Sequence, residues 1–208
     1  MNKKLHHRIF LISLYAIYTA LIFVLTFVPF VGFISLGIVS MTTIHIAVLV
    51  FCYLTDWKSS IVFGAIFGFA SLIRVLTSPA GVFDYCFVNP MVSIVPRIIF
   101  AVIAGLLFQL VKKNKNLGVK IVLVVIISIV STFIHSILVL GMCGVFYFAK
   151  LNEAYLENGG FWVVMGSTLL LNTLPEMGLA GLLVSPVGIS LEGVYNRVSL
   201  GRMAQNER

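Results

Sequence analysis

The sequence predicts an all-α membrane protein in which a bundle of six transmembrane helices forms a single domain, residues 1–208. Hydrophobic residues make up 60% of the chain and charged residues only 10%, whereas soluble domains carry about 25% charged residues. So few charges could not cover the surface of a soluble protein of this size, and the same composition excludes disorder. Because a spanning helix needs roughly 20 mostly apolar residues, the length allows six spans with short connections.

The apolar runs place the spans in order. The first run is uncharged and follows a basic start, and it is too long for a signal peptide and has no small-residue cleavage site after it. Pro29 and Gly32 separate it from the second, the third is short and rich in Gly and Phe, and the fifth is longer than a bilayer requires. Pro175 and Pro186 interrupt the sixth. The predicted spans are 9–30, 32–52, 60–76, 91–111, 121–148 and 161 to about 191.

The basic residues predict the orientation. Of the 14 Lys and Arg residues, 11 lie in the segments 1–8, 53–59, 112–120 and 192–208, and the opposite side has only Arg74, Arg97 and Lys150. Such an excess of basic residues is typical of cytoplasmic segments, so both termini of this multi-pass membrane protein are expected in the cytoplasm. These charges are split among short connections, which does not indicate nucleic-acid binding.

Three outer connections are candidates for function, one of which is the polar, acidic stretch KLNEAYLENGG between spans 5 and 6. The stretch 74–90, RVLTSPAGVFDYCFVNP, is the longest connection and contains aromatic residues. The connection FVPFVGFISLG between spans 1 and 2 carries no charge, so it either dips into the membrane or covers something. Long loops often carry function.

Several kinds of chemistry have no sequence support. There is no G-x-x-x-x-G-K-[ST] motif for nucleotide binding and no H-E-x-x-H or G-x-S-x-G motif. Asp56 and Asp84 are far apart, which disfavours a metal-dependent phosphotransferase, and the 3 Cys residues form no C-x-x-C pair. We therefore expect no catalytic residues, metal site or cofactor in this chain.

Ionisable and polar groups at membrane depth are the candidate site residues, because such groups usually face a protein interior or a cavity. Most of them fall in the predicted outer half of the bundle, on several different helices. This layout predicts an outward-facing pocket for a small polar molecule. The residues are Arg97, Arg74, His45, His135, Asn172 and Glu176.

Four segments also indicate a family. They are the A-x-x-x-A pattern of Ala16 and Ala20 in span 1, SMTTIHIAVLV in span 2, GAIFGFASLIR in span 3 and VPRIIFAVIAGLLFQLV in span 4. With the size and the six spans, they resemble the substrate-binding S component of energy-coupling factor (ECF) vitamin transporters, and are close to the pantothenate-type branch.

The resemblance implies a vitamin-binding subunit of the prokaryotic plasma membrane that takes its ligand from outside. It implies a site at the outer ends of spans 4 to 6, capped by the 1–2 and 3–4 connections. It also implies partners: a membrane coupling subunit, which would dock on Ala16 and Ala20, and two cytoplasmic ATPase subunits, which would bind the ATP. A carboxylate vitamin such as pantothenate needs a buried cation, with Arg97 the first choice and Arg74 the second.

Other hypotheses stay open at this point. Another B vitamin (pyridoxine, hydroxymethylpyrimidine, riboflavin or folate) is one alternative, and a pyridoxine-like or pyrimidine ligand would stack on aromatic rings and bind Asn89, Asp84 or Glu176. A small integral-membrane lipid enzyme would need an acid–base pair that only Glu176 and a His could supply. A homo-oligomeric scaffold or pore would use the small-residue face of span 1 on itself.

Overall fold

A computed structural model describes the backbone of residues 3–28, 33–35, 40–79 and 82–204, and the side chains of 9–28, 42–79 and 83–196. Apart from two three-residue strands, the regular structure of these residues is helical. The elements are α1 (Lys3–Phe27), β1 (Phe33–Ser35), β2 (Ser40–Thr42), α2 (Ile44–Leu54), α3 (Trp57–Thr77), a 3-10 segment (Val82–Val88), α4 (Pro90–Ser93), α5 (Val95–Lys112), α6 (Leu117–Ala154), a 3-10 turn (Leu156–Asn158), α7 (Gly160–Thr168), a π-helical segment (Leu169–Thr173) and α8 (Leu174–Ala204).

The helical membrane architecture is confirmed. Within the part of the chain that the structure describes, five helical stretches are long and apolar enough to cross a bilayer. They correspond to predicted spans 1, 3, 4, 5 and 6, and run over Ile9–Phe27, Trp57–Thr77, Pro90–Lys112, Leu117–Ala154 and Gly160–Asn196. The sixth span and the side on which the termini lie stay predictions.

The prediction of a helix over the first half of span 2 is wrong. Phe33–Ser35 and Ser40–Thr42 pair as antiparallel strands, with Phe33 opposite Thr42, and helix begins only at Ile44. The sequence of this half contains glycines and serines, which lower helix propensity because glycine is flexible and serine bonds the backbone in non-helical forms. The predicted start of the span at Gly32 lies outside the described residues.

The short α2 places non-helical backbone close to membrane depth. Its 11 residues rise about 16 Å, roughly half of the hydrocarbon thickness. Irregular backbone at this depth is tolerated where protein buries it or where it lines a cavity. Both expectations for the uncharged connection, that it dips into the membrane or that it covers something, stay predictions.

Helices α3 and α5 are in backbone contact. A Cβ atom at Gly64 would lie 2.6 Å from the Arg97 carbonyl oxygen, and one at Gly68 would lie 2.7 Å from the Cα of Ile94. No real Cβ contact is that short, so only glycine fits at these two positions. The two glycines thus set the position of the first turn of α5.

A polar network joins the helices at the other end of α5, where Lys112 lies. Lys120 Nζ donates to both carboxylate oxygens of Glu192, at 2.6 and 2.7 Å, and the Tyr53 hydroxyl donates to Oε2 at 2.6 Å. Lys112 Nζ donates to the Thr55 carbonyl oxygen at 2.5 Å. These bonds tie α2, α6 and α8 together and hold Lys112 of α5 against the end of α2.

Helix α1 lies at the edge of the bundle. Its inner face includes Tyr18, which is fully buried and donates to the Phe63 carbonyl oxygen at 3.0 Å, and Tyr15, whose hydroxyl donates to Ser59 Oγ at 3.0 Å. Ala16 and Ala20 are both exposed. The pair of small residues therefore faces away from the chain's own core.

Candidate functional site

Arg97 is the central cation of the candidate site. Its side chain is 6% exposed, and Nη1 donates to the Val92 carbonyl oxygen at 2.7 Å. The guanidinium lies 4.9 Å from the ring centre of Phe87 and 5.6 Å from that of Phe67. Its Nε has no hydrogen-bond partner, and within the described part of the chain no carboxylate pairs with it. Cation–π contacts stabilise the charge, but they do not neutralise it.

Two histidines stack on each other, and one of them shares an aromatic neighbour with Arg97. The rings of His45 in α2 and His135 in α6 are nearly parallel, with centroids 6.0 Å apart. His135 also packs against Phe67 and Phe100, at 5.7 and 4.7 Å between ring centres. Phe67 therefore contacts both Arg97 and His135, so the aromatic rings link α3, α5 and α6 around the polar groups.

Glu176 anchors the hairpin to α8. The Thr42 backbone N–H donates to Oε1 of Glu176 at 2.5 Å, and the Thr42 hydroxyl donates to the same oxygen at 3.1 Å. Glu176 is 6% exposed. Since Thr42 ends β2 and His45 lies in the first turn of α2, Glu176 fixes the chain just before the histidine.

Asn172 lies in an irregular turn one turn before Glu176. Leu169–Thr173 is π-helical, a distortion that is common at functional sites. Pro175, two residues after this segment, lacks a backbone donor. The Asn172 Oδ1 atom is buried and has no hydrogen-bond partner.

Unpartnered buried atoms are a shared feature of this region. They are both ring nitrogens of His45, His135 Nδ1, Arg97 Nε, Asn172 Oδ1 and Ser131 Oγ. Leaving a buried donor or acceptor unpaired costs about 1–3 kcal/mol, so these groups are suited to hydrogen-bond a polar ligand. We call His45, Arg97, Ser131, His135, Asn172 and Glu176 the polar cluster.

Two predicted site residues have local partners. Arg74 lies 3.7 Å from the Asp84 carboxylate, between Nη1 and Oδ2, which joins the end of α3 to the 3-10 segment. The Asn89 side chain accepts from the Met91 backbone N–H at 3.0 Å and so caps the N-terminus of α4. Both hold the 3–4 connection in place, and a ligand contact by either stays a prediction.

Sequence reasoning missed Ser131 and the three aromatic neighbours. Ser131 lies one turn before His135, and a stripe of polar residues on α6 is buried in an otherwise apolar helix: Ser128, Ser131, Thr132, His135 and Ser136. That stripe is visible in the sequence, where it marks the inward face of α6. Phe67, Phe87 and Phe100 could not be selected, because the chain contains 17 Phe residues. Among the described residues, no three metal-ligating side chains lie together.

The comparison with protein families identifies the chain. Residues 11–188 match the family model described as "ECF transporter, substrate-specific component". The chain belongs to this family. ECF substrate-specific components are multi-pass plasma-membrane proteins of transport systems rather than enzymes, and they work with a membrane-embedded coupling module and ATPases.

One relative carries a substrate in its name. The chain is 28% identical over 105 residues to the pantothenate transporter PanT of Leuconostoc mesenteroides subsp. mesenteroides. The alignment covers 49% of this chain and 52% of the relative. The ECF component thus spans about half the length of the curated relative it matches.

Proposed function

We propose that this ECF substrate-specific component binds an anionic vitamin, pantothenate, and that the Arg97 guanidinium pairs with its carboxylate. The observation that carries the proposal is a buried arginine without an acidic partner among the described residues. A buried charge is costly unless it is paired. A carboxylate can accept two parallel hydrogen bonds from the planar guanidinium group of arginine. The name of the Leuconostoc relative supports the same ligand.

The remaining polar cluster suits the other end of such a ligand. Pantothenate carries hydroxyls and an amide, which both donate and accept hydrogen bonds. Neutral histidine has one donor and one acceptor nitrogen, and serine and asparagine also serve both ways. His45, His135, Ser131 and Asn172 have unpartnered buried atoms of these kinds. They would bind the hydroxyls and the amide while the aromatic rings cover the apolar part of the ligand.

In our proposal, the β1–β2 hairpin covers this site. It joins α1 to α2 beside His45, and Glu176 anchors its last residue. Because the Glu176 oxygen already accepts two bonds, we assign Glu176 to closing the site rather than to pairing with a cation.

The exposed face of α1 is the proposed docking surface for the coupling subunit. Ala16 and Ala20 lie about one helical turn apart on that face. Small residues at this spacing let a second helix approach closely, so that van der Waals contacts drive association in lipid. Two cytoplasmic ATPase subunits would bind the ATP, and this chain would need no cofactor.

A titration panel of B vitamins tests the proposal. Isothermal titration calorimetry of the detergent-purified chain should show one bound pantothenate per chain, and riboflavin and pyridoxine should give no heat. Saturable binding of a neutral vitamin in place of pantothenate would reject the assignment. Binding of folate, which is also anionic, would retain the role of Arg97 and replace the ligand.

A further inference from the structure

Two cysteines lie together on the side of the fold that is predicted to face outward, outside the polar cluster. Cys86 belongs to the 3-10 segment Val82–Val88 and Cys143 to α6. Both belong to one buried apolar cluster, with Val92, Leu151 and Phe161 among its members. Cys86 is 3% exposed and Cys143 is fully buried. Both are free thiols, and the segments that carry them pack against each other.

A cavity leads to one of the two thiols. Its volume is about 350 Å³, and Cys86 forms part of its wall, whereas Cys143 does not. The other lining residues are Tyr85, Val88, Tyr147, Lys150 and Leu151. Tyr85 is 63% exposed and Lys150 is exposed as well, so the cavity is open to solvent at this side. A small reagent can thus reach Cys86 first and Cys143 only after it.

The surroundings favour the reactive form of Cys86. Hydrogen bonding by the Cys143 thiol lowers the pKa of Cys86 below its ordinary value, and the Lys150 ammonium acts in the same direction, while burial and Asp84 oppose them. The thiolate is the nucleophile in thiol–disulfide exchange. Cysteines that react in this way commonly have a second thiol next to them to resolve the product.

We propose that Cys86 and Cys143 are a site of covalent modification, in which a small-molecule disulfide oxidises them to an intramolecular disulfide that ties the 3-10 segment to α6. The proposal goes beyond the vitamin-binding function, and formation of the disulfide does not depend on it. Only the expected effect on ligand exchange rests on that function.

The reaction balances in two exchange steps. The Cys86 thiolate attacks a sulfur of the small disulfide RSSR, which forms Cys86–S–SR and releases RS⁻. The Cys143 thiol then loses its proton and attacks the Cys86 sulfur, which forms the Cys86–Cys143 bond and releases a second RS⁻. The two protons of the cysteines end on the two released thiols. The two cysteines are oxidised, and RSSR is reduced to two RSH.

The bond would act on the wall of the vitamin site. Phe87, the residue after Cys86, lies over the Arg97 guanidinium, and Ser93 Oγ donates to the Phe87 carbonyl oxygen. A covalent link from Cys86 to α6 restricts the motion of this segment. Oxidation is therefore expected to slow the exchange of bound ligand.

Counting thiols tests the proposal directly. The purified full chain is incubated with hydroxyethyl disulfide, quenched with acid, unfolded and alkylated with iodoacetamide, and the intact mass is measured. The number of alkylated cysteines should fall from three to one, with no adduct retained, and a proteolytic digest should yield a peptide pair joining Cys86 to Cys143. In the Cys52→Ser variant the number should fall from two to none.

The Cys143→Ser variant separates the two steps. It removes the resolving thiol, so Cys86 should keep the hydroxyethylthio adduct. Three alkylated cysteines in the treated wild-type chain would overturn the proposal. A persistent adduct on Cys86 in the wild-type chain, or a linked peptide containing Cys52, would overturn it as well.

Discussion

Gly64 of α3 lies directly against the backbone of Arg97, since a Cβ atom at Gly64 would be 2.6 Å from the Arg97 carbonyl oxygen. The position of the buried guanidinium therefore depends on a residue that has no side chain.

The Gly64→Ala substitution is expected to weaken vitamin binding and to lower the melting temperature. The added methyl group must push α3 and α5 apart, and such overpacking costs about 1–3 kcal/mol. Calorimetry and thermal unfolding in detergent measure the two effects. Gly141→Ala, where the added methyl meets open space, should leave both unchanged. Equal effects from the two variants would contradict the role of the α3–α5 contact.

Replacing Ala16 and Ala20 together with Leu should separate ligand binding from coupling. Both residues are exposed, so larger side chains keep a partner helix away without entering the core. The variant should bind pantothenate normally in detergent but fail to co-purify with the coupling subunit and fail to support uptake. The matched control is Ile17→Leu, which changes a neighbouring residue that is 63% exposed and leaves the side-chain volume unchanged. Normal uptake by the double variant would refute docking at this face.

Glu176→Ala should speed the release of bound vitamin, whereas Glu176→Gln should have a smaller effect. Alanine removes the oxygen that accepts both Thr42 bonds, while glutamine retains a carbonyl oxygen that can accept them. Dissociation is measured by chasing labelled pantothenate with unlabelled ligand. If both variants release the vitamin faster than the wild-type chain and at the same rate, the charge of Glu176 matters rather than its bonds to the hairpin.

The predicted orientation can be read from thiol labelling in intact cells. In a background where the native cysteines are replaced by Ser, Tyr85→Cys should react with a membrane-impermeant maleimide, because Tyr85 is 63% exposed on the side predicted to face outward. Lys115→Cys, in the basic connection between α5 and α6, should react only after the cells are permeabilised. The reverse pattern would invert the topology inferred from the positive-inside asymmetry.

The helical fold and most of the polar cluster could be predicted from the sequence. The length of an apolar run is nearly enough to predict a membrane span. Within such a run, an ionisable residue such as Arg97 or His135 is easily recognised. The hairpin before α2 was missed because its residues are nearly as apolar as a span, although its glycines and serines lower helix propensity. The partners of Arg74 and Asn89 depend on how the 3–4 connection folds, which local pattern does not reveal.

The pairing of Arg97 with a vitamin carboxylate is the central claim, and comparing pantothenate with pantothenol tests it most directly. Pantothenol has an alcohol in place of the carboxylate and is otherwise the same molecule. Calorimetry on the wild-type chain should show much tighter binding of pantothenate. Arg97→Ala should lose about 2–5 kcal/mol of pantothenate binding, or roughly thirtyfold to several thousandfold in affinity, and should bind the two ligands about equally. Arg97→Lys should recover only part of the loss, because an ammonium cannot form two parallel bonds to a carboxylate. An Arg97→Ala chain that still prefers pantothenate over pantothenol by the wild-type ratio would contradict the account.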